Sequence, residues 1–591
     1  MKYEWSLDEL YTSIESKEFK DDLNKLDVYI KDIIEFSKDI NEIQDKVKLI
    51  EDYISKYIKY EEQFSKLSIF INLKLSVNTK DLEALKYSDI LESKSNEIVK
   101  ATTNIEKNIS SIEDLKDIIN KSTFLTEHKF IIEEIKEKSK YRLSDKEENI
   151  IANMKKTGSN AWSKLTDKLV SSLMVNMDNK EYPLTVILNK AYDKDKEVRK
   201  KAYMAELESY KKIDESMASA LNGIKGEVIT TSKLRGYNSP LEMTLLDSRM
   251  ERETLDSMMK AIKKSLPVFR EYLKCKAKLL GYKNGLPFYE LYAPVVDDNL
   301  KYSYEEAGDF IIKNFSTFSN NLGNYAKKAI DNKWIDVMPK EGKVGGAFCE
   351  NINVIGESRI LLNFGGSFSD VITMAHELGH GFHGECLKGQ SILNCDYPMP
   401  IAETASTFCE TIVKNAAIKM MNKEDSLAIL ENDISDCTQI IVDIYSRFIF
   451  EDNLFRKREN SSLSVDEIKE LMIEAQKEAY GDGLDQEFLH PYMWLWKPHY
   501  YDAEYNYYNF PYAFGLLFSK GLYVEYLKRG DSFINEYEKL LSVTGKNKIE
   551  DIAKVINIDI KNECFWENSL KLIENDIRKF IEIVNFKRNL L

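Results

Sequence analysis

The chain has 591 residues, of which 43% are hydrophobic and 31% charged, a composition typical of folded globular proteins and unlike that of disordered ones. The formal net charge of −15 argues against a nucleic-acid-binding protein, because affinity for phosphates depends on an excess of Lys and Arg. No stretch reaches the roughly 18 uncharged apolar residues of a membrane helix, so we expect no membrane partner.

Seven cysteines are scattered along the chain without a C-x-x-C pair. This spacing argues against a disulfide framework and against a zinc cluster built on thiolates. The first residues, "MKYEWSLDELYTS", also lack the apolar core of a signal peptide. We therefore expect reduced thiols in a cytoplasmic protein.

The first 182 residues contain no proline and only one glycine, Gly158. Because the turns of all-β folds use both residue types heavily, this composition predicts helices. Apolar residues also recur at steps of three and four, as in Leu23, Leu26 and Ile30. The N-terminal part of the chain is thus predicted to be helical.

All eleven prolines lie at or after Pro183. This change in composition predicts a boundary near residue 190, with an N-terminal helical region at 1–190 and a second region at 191–591. The second region is also predicted to be mainly helical, with one exception at 345–364. There "GGAFCENINV", the turn-like "IGES" and "RILLNF" follow one another and predict a short β-hairpin.

The hairpin is followed by "GGSFSDVITMAHELGHGFHGE". Ser367 with Asp370 three residues later is the pattern of a capping box, which predicts a helix that starts near residue 368. His376, Glu377 and His380 form H-E-x-x-H on that helix. Residues four apart lie on one face, about 6 Å apart along the axis, so both imidazoles can reach one ion.

Zinc suits imidazole, and a catalytic zinc site has three protein ligands and one position open to water. Glu377 points sideways from the two histidines and can act as a base toward the water that the metal activates. A chance H-E-x-x-H has a probability of about one in a hundred in a chain with six histidines, which favours metal binding over coincidence. His383 lies about 10 Å along the axis from His376, so it is predicted to support or pack against the site.

The third ligand must therefore come from another segment. The next predicted helix, "YPMPIAETASTFCETIV", has Pro400 near its first turn and carries Glu403 and Glu410, seven residues apart on one face. Either carboxylate can complete a His-His-Glu site while the other orients a ligand imidazole. Spacing alone does not choose between them.

A tyrosine-rich segment, "HPYMWLWKPHYYDAEYNYYNFPYAFG", follows at 490–515. Most of its rings are predicted to pack in a core or an interface. A hydrolase also needs hydrogen-bond donors for the oxyanion that forms when water adds to a carbonyl. The candidate donors are His499, Tyr501, Tyr505, Tyr507 and Tyr508.

Together these segments resemble the oligoendopeptidase F family, within the thimet-oligopeptidase-like zinc metallopeptidases. The similar segments are "WSLDELY", "GGAFC", "LLNF", "DVITMAHELGHGFH", "IAETASTFCE" and "KPHYY…YYNFPYAFG", which together cover most of the chain. The resemblance implies a mainly α, two-lobed metallopeptidase with a deep central channel and a small β-hairpin beside the zinc helix. Region 191–591 is then the catalytic domain.

The resemblance also implies roles for the residues that spacing leaves open. Glu403 becomes the third ligand of one Zn²⁺ per chain, and Glu410 a supporting residue. His499 matches the histidine that binds the substrate carbonyl, and Tyr508 is the best match for the tyrosine that does so. Tyr505 and Tyr507 remain alternatives for that tyrosine. Phe510 stands where some relatives have tyrosine, so that hydroxyl is absent here.

Substrate contacts are implied at the hairpin and in the tyrosine-rich segment. The hairpin would present a strand edge on which an extended peptide pairs. The residues concerned are Gly346, Ala347, Tyr501, Tyr505 and Tyr507.

The function implied is a zinc-dependent endopeptidase of short unfolded oligopeptides, with Glu377 as general base. Two alternatives remain at this point, a zinc carboxypeptidase and a non-catalytic peptide-binding protein with a structural metal.

Overall fold

The computed structural model describes residues 3–295, 300–420 and 423–590, which are mainly α-helical. In chain order the α-helices are α1 (Lys17–Asp39), α2 (Lys46–Val77), α3 (Leu82–Ser110), α4 (Leu115–Ile119), α5 (Thr123–Glu127), α6 (Lys129–Ser139), α7 (Asp145–Thr157), α8 (Ser159–Ser172), α9 (Leu184–Asn189), α10 (Lys196–Tyr210), α11 (Asp214–Arg235), α12 (Pro240–Asp247), α13 (Arg252–Leu279), α14 (Tyr304–Phe318), α15 (Asn320–Asp331), α16 (Phe368–Leu387), α17 (Met399–Ala402), α18 (Thr404–Met420), α19 (Lys423–Thr438), α20 (Ile444–Arg458), α21 (Val465–Tyr480), α22 (Phe510–Arg529), α23 (Ser532–Leu541), α24 (Ile549–Lys554) and α25 (Glu563–Leu590). The strands are β1 (Met174–Met177), β2 (Lys180–Pro183), β3 (Ile335–Asp336), β4 (Phe348–Ile352) and β5 (Glu357–Leu361).

The predicted mainly α fold is confirmed, and local sequence explains where several helices begin. A serine precedes each of α7, α14, α16 and α21, and a carboxylate three residues later completes a capping box. Each box satisfies backbone N–H groups that have no partner within the helix.

No helix in the described ranges is long and apolar enough to cross a bilayer. The seven cysteines, all of them within those ranges, form no disulfide.

The chain folds into two compact units, each built from three segments. The first consists of Met1–Lys140, Asn299–Ala416 and Glu525–Ile558. Within it α1, α2 and α3 pack against one another around a continuous hydrophobic core. Ile352 of β4 belongs to that core, so the strand is anchored on the N-terminal helices.

The predicted hairpin is confirmed as β4 and β5, which pair antiparallel from Phe348 with Leu361 to Ile352 with Glu357. β3 pairs parallel with β5, so the sheet order is β3-β5-β4 and β4 is an edge strand. α16 packs on both β4 and β5. This small sheet is the platform of the helix that carries H-E-x-x-H.

The second unit consists of Tyr141–Asp298, Ala417–Val524 and Asp559–Leu591. α13 and α25 pack along each other, and a π-helical turn, Gln439–Asp443, joins α19 to α20. Buried ion pairs link its helices: Lys225 with Glu451 and Lys276 with Glu431 are both 2.8 Å apart. The predicted boundary at 190/191 lies inside this unit and, like the predicted channel, stays a prediction.

Candidate active site

The helix that carries H-E-x-x-H, α16, is held at its start and along its length. Its capping box is formed by Ser367, whose hydroxyl accepts from the backbone N–H of Asp370, and by the Asp370 carboxylate, which accepts from the backbone N–H of Ser367. Asn351 of β4 donates through Nδ2 to the carbonyl of His380 at 3.0 Å. The helix is therefore fixed to the hairpin close to the second histidine.

Three of the predicted ligands lie together. The Nε2 atoms of His376 and His380 are 3.1 Å apart. Oε2 of Glu403 lies 3.2 Å from the first and 3.5 Å from the second. In the described part of the chain, these residues form the one group of three side chains with metal-ligating spacing.

The chemistry of these donors fits a divalent cation. Three such atoms this close are stabilised by positive charge among them, carried by a proton or by a metal ion. Burial alone would lower the pKa of His376, but hydrogen bonds to Glu403 and Glu410 raise it to about 10. Burial would raise the pKa of Glu403, yet the hydrogen bond and charge of His376 hold it at about 2. The site is therefore built to stabilise positive charge, which suits a two-imidazole, one-carboxylate zinc site.

The segment with Glu403 differs from the single helix that the sequence predicts. α17 ends at Ala402, Glu403 lies at a bend with φ −85° and ψ 4°, and α18 starts at Thr404. The hydroxyl of Ser406 donates to Oε2 of Glu403 at 2.8 Å. The Glu403 carboxylate is thus oriented by the first turn of α18.

Glu410 holds the far side of the His376 ring. Its Oε1 is 2.6 Å from Nδ1 of His376, and its Oε2 accepts from Nζ of Lys414 at 2.8 Å. Such a carboxylate fixes the orientation of a ligand imidazole. Sequence reasoning missed Lys414, although its spacing of four residues from Glu410 on a helix is a signal for an ion pair.

Glu377 is buried beside the ligand group, with 5% of its surface exposed. Burial raises its pKa to about 7, against the effect of the nearby His376 charge. Among the described residues its carboxylate has no hydrogen-bond or ion-pair partner. It is therefore free to exchange a proton with a bound molecule.

His383 is not part of the ligand group. Its ring is fully buried and stacks on Tyr397 with centroids 4.1 Å apart. Nε2 lies 2.8 Å from Oγ1 of Thr544, and because that hydroxyl donates to the carbonyl of Leu541, Nε2 is the donor. Burial lowers the pKa of His383 to about 3, with a contribution from His380. The ring is a neutral packing element.

Gly379 brings α16 and α18 into backbone contact. A Cβ at this position would lie 2.7 Å from the carbonyl oxygen of Ala405 and 2.7 Å from Cα of Ser406. Both atoms belong to the first turn of α18, which carries the Ser406 hydroxyl that orients Glu403. The absence of a side chain at 379 thus determines how closely Glu403 approaches the histidines.

On the outer edge of β4, backbone groups have no hydrogen-bond partner in the part of the chain that the structure describes. The backbone N–H groups of Ile360 and Leu362 face β3 and donate to β3 and to the residue just before it. Because successive residues of a strand face opposite sides, the residues of β5 that hydrogen-bond to β4 are the ones that alternate with these two. In an antiparallel pair this leaves the backbone groups of Cys349 and Asn351 directed away from β5. Sequence reasoning missed these two residues because it did not determine the pairing register.

The predicted contact residues Gly346 and Ala347 lie just before β4. Gly346 has φ +79°, and its carbonyl accepts from Nδ2 of Asn363 at 2.8 Å. A cavity of about 410 Å³ lies alongside β4 and is lined by residues of α2, β4 and the segment 387–397. Its lining carries the carboxylates of Glu61, Glu350 and Asp396 and no Lys or Arg.

A second cluster, within the second unit, contains His499 and Tyr508. Their rings stack with centroids 5.6 Å apart. The hydroxyl of Tyr508 is 3.0 Å from that of Tyr512, a residue that sequence reasoning missed. Burial lowers the pKa of His499 to about 3, with help from the charges of Arg447, Lys225 and Lys497.

The other predicted tyrosines do not join this cluster through their hydroxyls. Tyr501 is buried, and its hydroxyl has no hydrogen-bond partner within the described ranges. Tyr505 is 60% exposed. Tyr507 has a left-handed backbone, φ +52°, and its hydroxyl donates to Asp452. A non-glycine residue rarely adopts this conformation. The Tyr507 ring stacks on Phe455, whereas the Tyr508 ring stacks on His499.

A comparison with family models matches residues 190–572 to peptidase family M3 and residues 110–174 to the oligopeptidase F domain. The chain belongs to peptidase family M3. The predicted resemblance is confirmed: the protein is a metallopeptidase, and peptides are its substrates.

Relatives in this family match along nearly the whole chain. Oligopeptidase PepF of Bacillus subtilis is 24% identical over 98% of this chain and 87% of its own length. An oligoendopeptidase F homolog of Borreliella burgdorferi is 23% identical over 98% of both chains. The solved structure of oligoendopeptidase-F from Enterococcus faecium superposes with a TM-score of 0.70 at 17% identity, covering 96% of this chain and 99% of its own. These comparisons support an M3 fold for the full chain.

The contact at Gly379 predicts the effect of a single methyl group. Gly379→Ala should separate α16 from α18, displace Glu403 and weaken the binding of a divalent metal ion, with Zn²⁺ as the probe, about 10–100-fold, as changes behind a metal ligand usually do. Zinc affinity is measured by competition with a chromogenic chelator. The control is Gly308→Ala on α14, where the new methyl meets only the end of the Ile330 side chain. Equal zinc affinity in both variants would contradict the prediction.

Burial of His383 predicts a pH dependence of stability. Its pKa is about 3 in the folded protein and about 6.5 when unfolded, so only the unfolded chain takes up a proton between these values. The free energy of unfolding should therefore decrease as the pH falls below about 6.5. The urea midpoint of wild type, measured at pH 7 and pH 5, should fall more than that of His383→Gln. An equal decrease in the urea midpoint of the two proteins between pH 7 and pH 5 would contradict this account.

Proposed function

We propose that this M3 peptidase is a zinc-dependent endopeptidase that cleaves internal bonds of short, unfolded peptides. One zinc ion per chain would be held by His376, His380 and Glu403. The observation that carries the proposal is the approach of these three donors to within 3.5 Å of one another beside Glu377, a buried carboxylate that has no partner among the described residues.

Zinc in such a site supplies a Lewis acid that lowers the pKa of water and polarises a carbonyl. Glu410 keeps the His376 ring in place through Nδ1, so that Nε2 stays directed at the shared position. Ser406 does the same for Glu403. The residues around the ligands thus preserve the geometry during turnover.

Glu377 moves the proton in the proposed reaction. Its carboxylate takes a proton from the attacking water as the oxygen forms a bond to the carbonyl carbon. The same carboxyl then gives that proton to the amide nitrogen as the C–N bond breaks, so the products are a carboxylic acid and an amine. Its burial keeps competing water away from this exchange.

His499 and Tyr508 are proposed as donors to the oxyanion that forms on the carbonyl. Their roles follow the family pattern, and their stacked rings and the Tyr508–Tyr512 hydrogen bond support a shared function. A neutral imidazole and a phenol can each supply one N–H or O–H. Losing one such donor typically costs about 10²–10³-fold in kcat.

The free edge of β4 is proposed to bind the substrate backbone. An extended peptide can pair with the backbone groups of Cys349 and Asn351. A carboxypeptidase needs a cation for the terminal carboxylate of its substrate, whereas the cavity beside β4 is lined by carboxylates and contains no Lys or Arg. This charge favours cleavage within a chain over removal of its last residue.

The non-catalytic alternative is less well supported. A structural zinc ion is usually enclosed by four protein ligands. Among the described residues the metal-ligating group has three members. The remaining position is then available to water or substrate, as in a catalytic site.

Two variants separate proton transfer from metal binding. Glu377→Gln should keep its zinc and lose about 10²–10⁴-fold in kcat, because only the base is removed. His380→Ala should lose the metal itself. Zinc content is measured by plasma emission spectrometry and kcat with a quenched fluorescent peptide. Glu385→Gln, on the last turn of the same helix, is the control and should match wild type. Wild-type turnover by Glu377→Gln would refute the assigned base.

Digestion of a mixed library of unmodified decapeptides tests the type of cleavage. Mass spectra should show products from internal bonds, and these products should vanish when zinc is removed with a chelator. Blocking the C-terminus as an amide should leave the rate unchanged. Stepwise loss of C-terminal residues that the amide abolishes would instead identify a carboxypeptidase.

A further inference from the structure

His499 lies in a short 3-10 turn, Pro498–Tyr501, and its ring is packed between two tyrosines. The centroid of Tyr500 is 4.4 Å away and that of Tyr508 is 5.6 Å away. Burial among the cations Arg447, Lys225 and Lys497 lowers the pKa of the ring and keeps it neutral at neutral pH. A neutral imidazole has one N–H donor and one acceptor nitrogen, so the tautomer decides which nitrogen can donate.

The orientation of a neighbouring amide decides the tautomer. Nη1 of Arg447 lies 3.3 Å from Oδ1 of Asn509. Because a guanidinium can only donate, the amide atom that faces it must be the oxygen. The amide nitrogen of Asn509 then faces Nε2 of His499, at 3.0 Å, and donates to it. Nε2 is therefore an acceptor, and the proton of the neutral ring is on Nδ1.

Arg447 is itself held in place. Its Nη2 lies 2.5 Å from Oδ2 of Asp443, the last residue of the π-helical turn between α19 and α20. Oδ1 of Asp443 accepts from the hydroxyl of Tyr480 at 3.2 Å. The side chains of Asp443, Arg447, Asn509 and His499 thus contact one another in that order. Each contact fixes the orientation of the next side chain.

Nδ1 is the other ring nitrogen of His499. Within the described residues it makes no hydrogen bond, and the His499 side chain is half-buried rather than buried. The protonated nitrogen is therefore the one that a bound molecule can reach.

We infer that Asn509, held by Arg447, is a positioning residue that fixes the His499 tautomer with its proton on Nδ1, and that Nδ1–H is the group that donates to the substrate carbonyl. The inference rests on the role proposed above for His499.

The tautomer can be observed directly in the intact zinc-loaded enzyme. The protein is labelled with ¹³C,¹⁵N-histidine, which gives signals from six residues. Long-range ¹H–¹⁵N spectra distinguish protonated from unprotonated ring nitrogens, and His499→Gln identifies the His499 signals. We expect the wild-type ring to carry its proton on Nδ1. A proton on Nε2 would overturn the inference, and this result does not depend on the folding of any further variant.

Asn509→Asp tests whether the Asn509 amide sets the His499 tautomer. A carboxylate can only accept, so Nε2 must then carry a proton. We expect the protonated nitrogen to change and kcat to fall by about 10²–10³-fold, the usual loss for one oxyanion donor, with little change in KM. Asn460→Asp makes the same substitution at an exposed site in the second unit and should change neither spectrum nor kcat. A neutral ring that still carries its proton on Nδ1 in Asn509→Asp would overturn the inference.

The two proposals fail in different ways. If the tautomer is as expected and changes in Asn509→Asp, but His499→Gln cleaves peptides at the wild-type rate, then the donation to substrate is overturned along with the role proposed for His499. If His499→Gln loses activity while the wild-type ring carries its proton on Nε2, the proposed function stands and the tautomer inference falls.

Discussion

The contact between the backbones of α16 and α18 is the constraint on which the cluster of His376, His380 and Glu403 depends. Gly379 lies between the two histidines of the motif, and it lets the first turn of α18 approach to a distance that any side chain would prevent. Glu403 and Ser406 come to the histidines as a consequence of that approach. Helical spacing brings His376 and His380 together, but Glu403 lies close to them only because the backbones of α16 and α18 are in contact.

The charge of the site is balanced around one ring. Glu403 contacts one nitrogen of His376 and Glu410 the other, so the imidazole lies between two carboxylates whose pKa values are held low. Lys414 then compensates Glu410 on its outer side. Buried acids of this number would be costly without such partners. The arrangement concentrates negative charge around His376 and, within the described part of the chain, leaves Glu377 without an ion-pair partner.

Features that depend on local sequence could be predicted well. The capping box at Ser367, the hairpin and the i, i+4 pair of histidines involve residues close in sequence, and the structure contains all three. The choice between Glu403 and Glu410 could not be made from spacing, because seven residues on a helix share a face and both carboxylates contact His376. The bend at Glu403 and the left-handed Tyr507 depend on tertiary contacts and left no clear local signal. The two units, each made of three chain segments, depend on long-range packing that periodicity does not report.

The open edge of β4 also bears on how copies of this chain meet one another. An unpaired strand edge is a template for intermolecular sheet growth, and proteins limit that hazard by keeping such edges short and interrupted. β4 has five residues, is preceded by Gly345 and Gly346 and ends in the turn that leads to β5. Only a few backbone groups can therefore be paired at once. One extended peptide segment can pair with this edge. The edge is too short to stabilise the pairing of many chains into a continuous sheet.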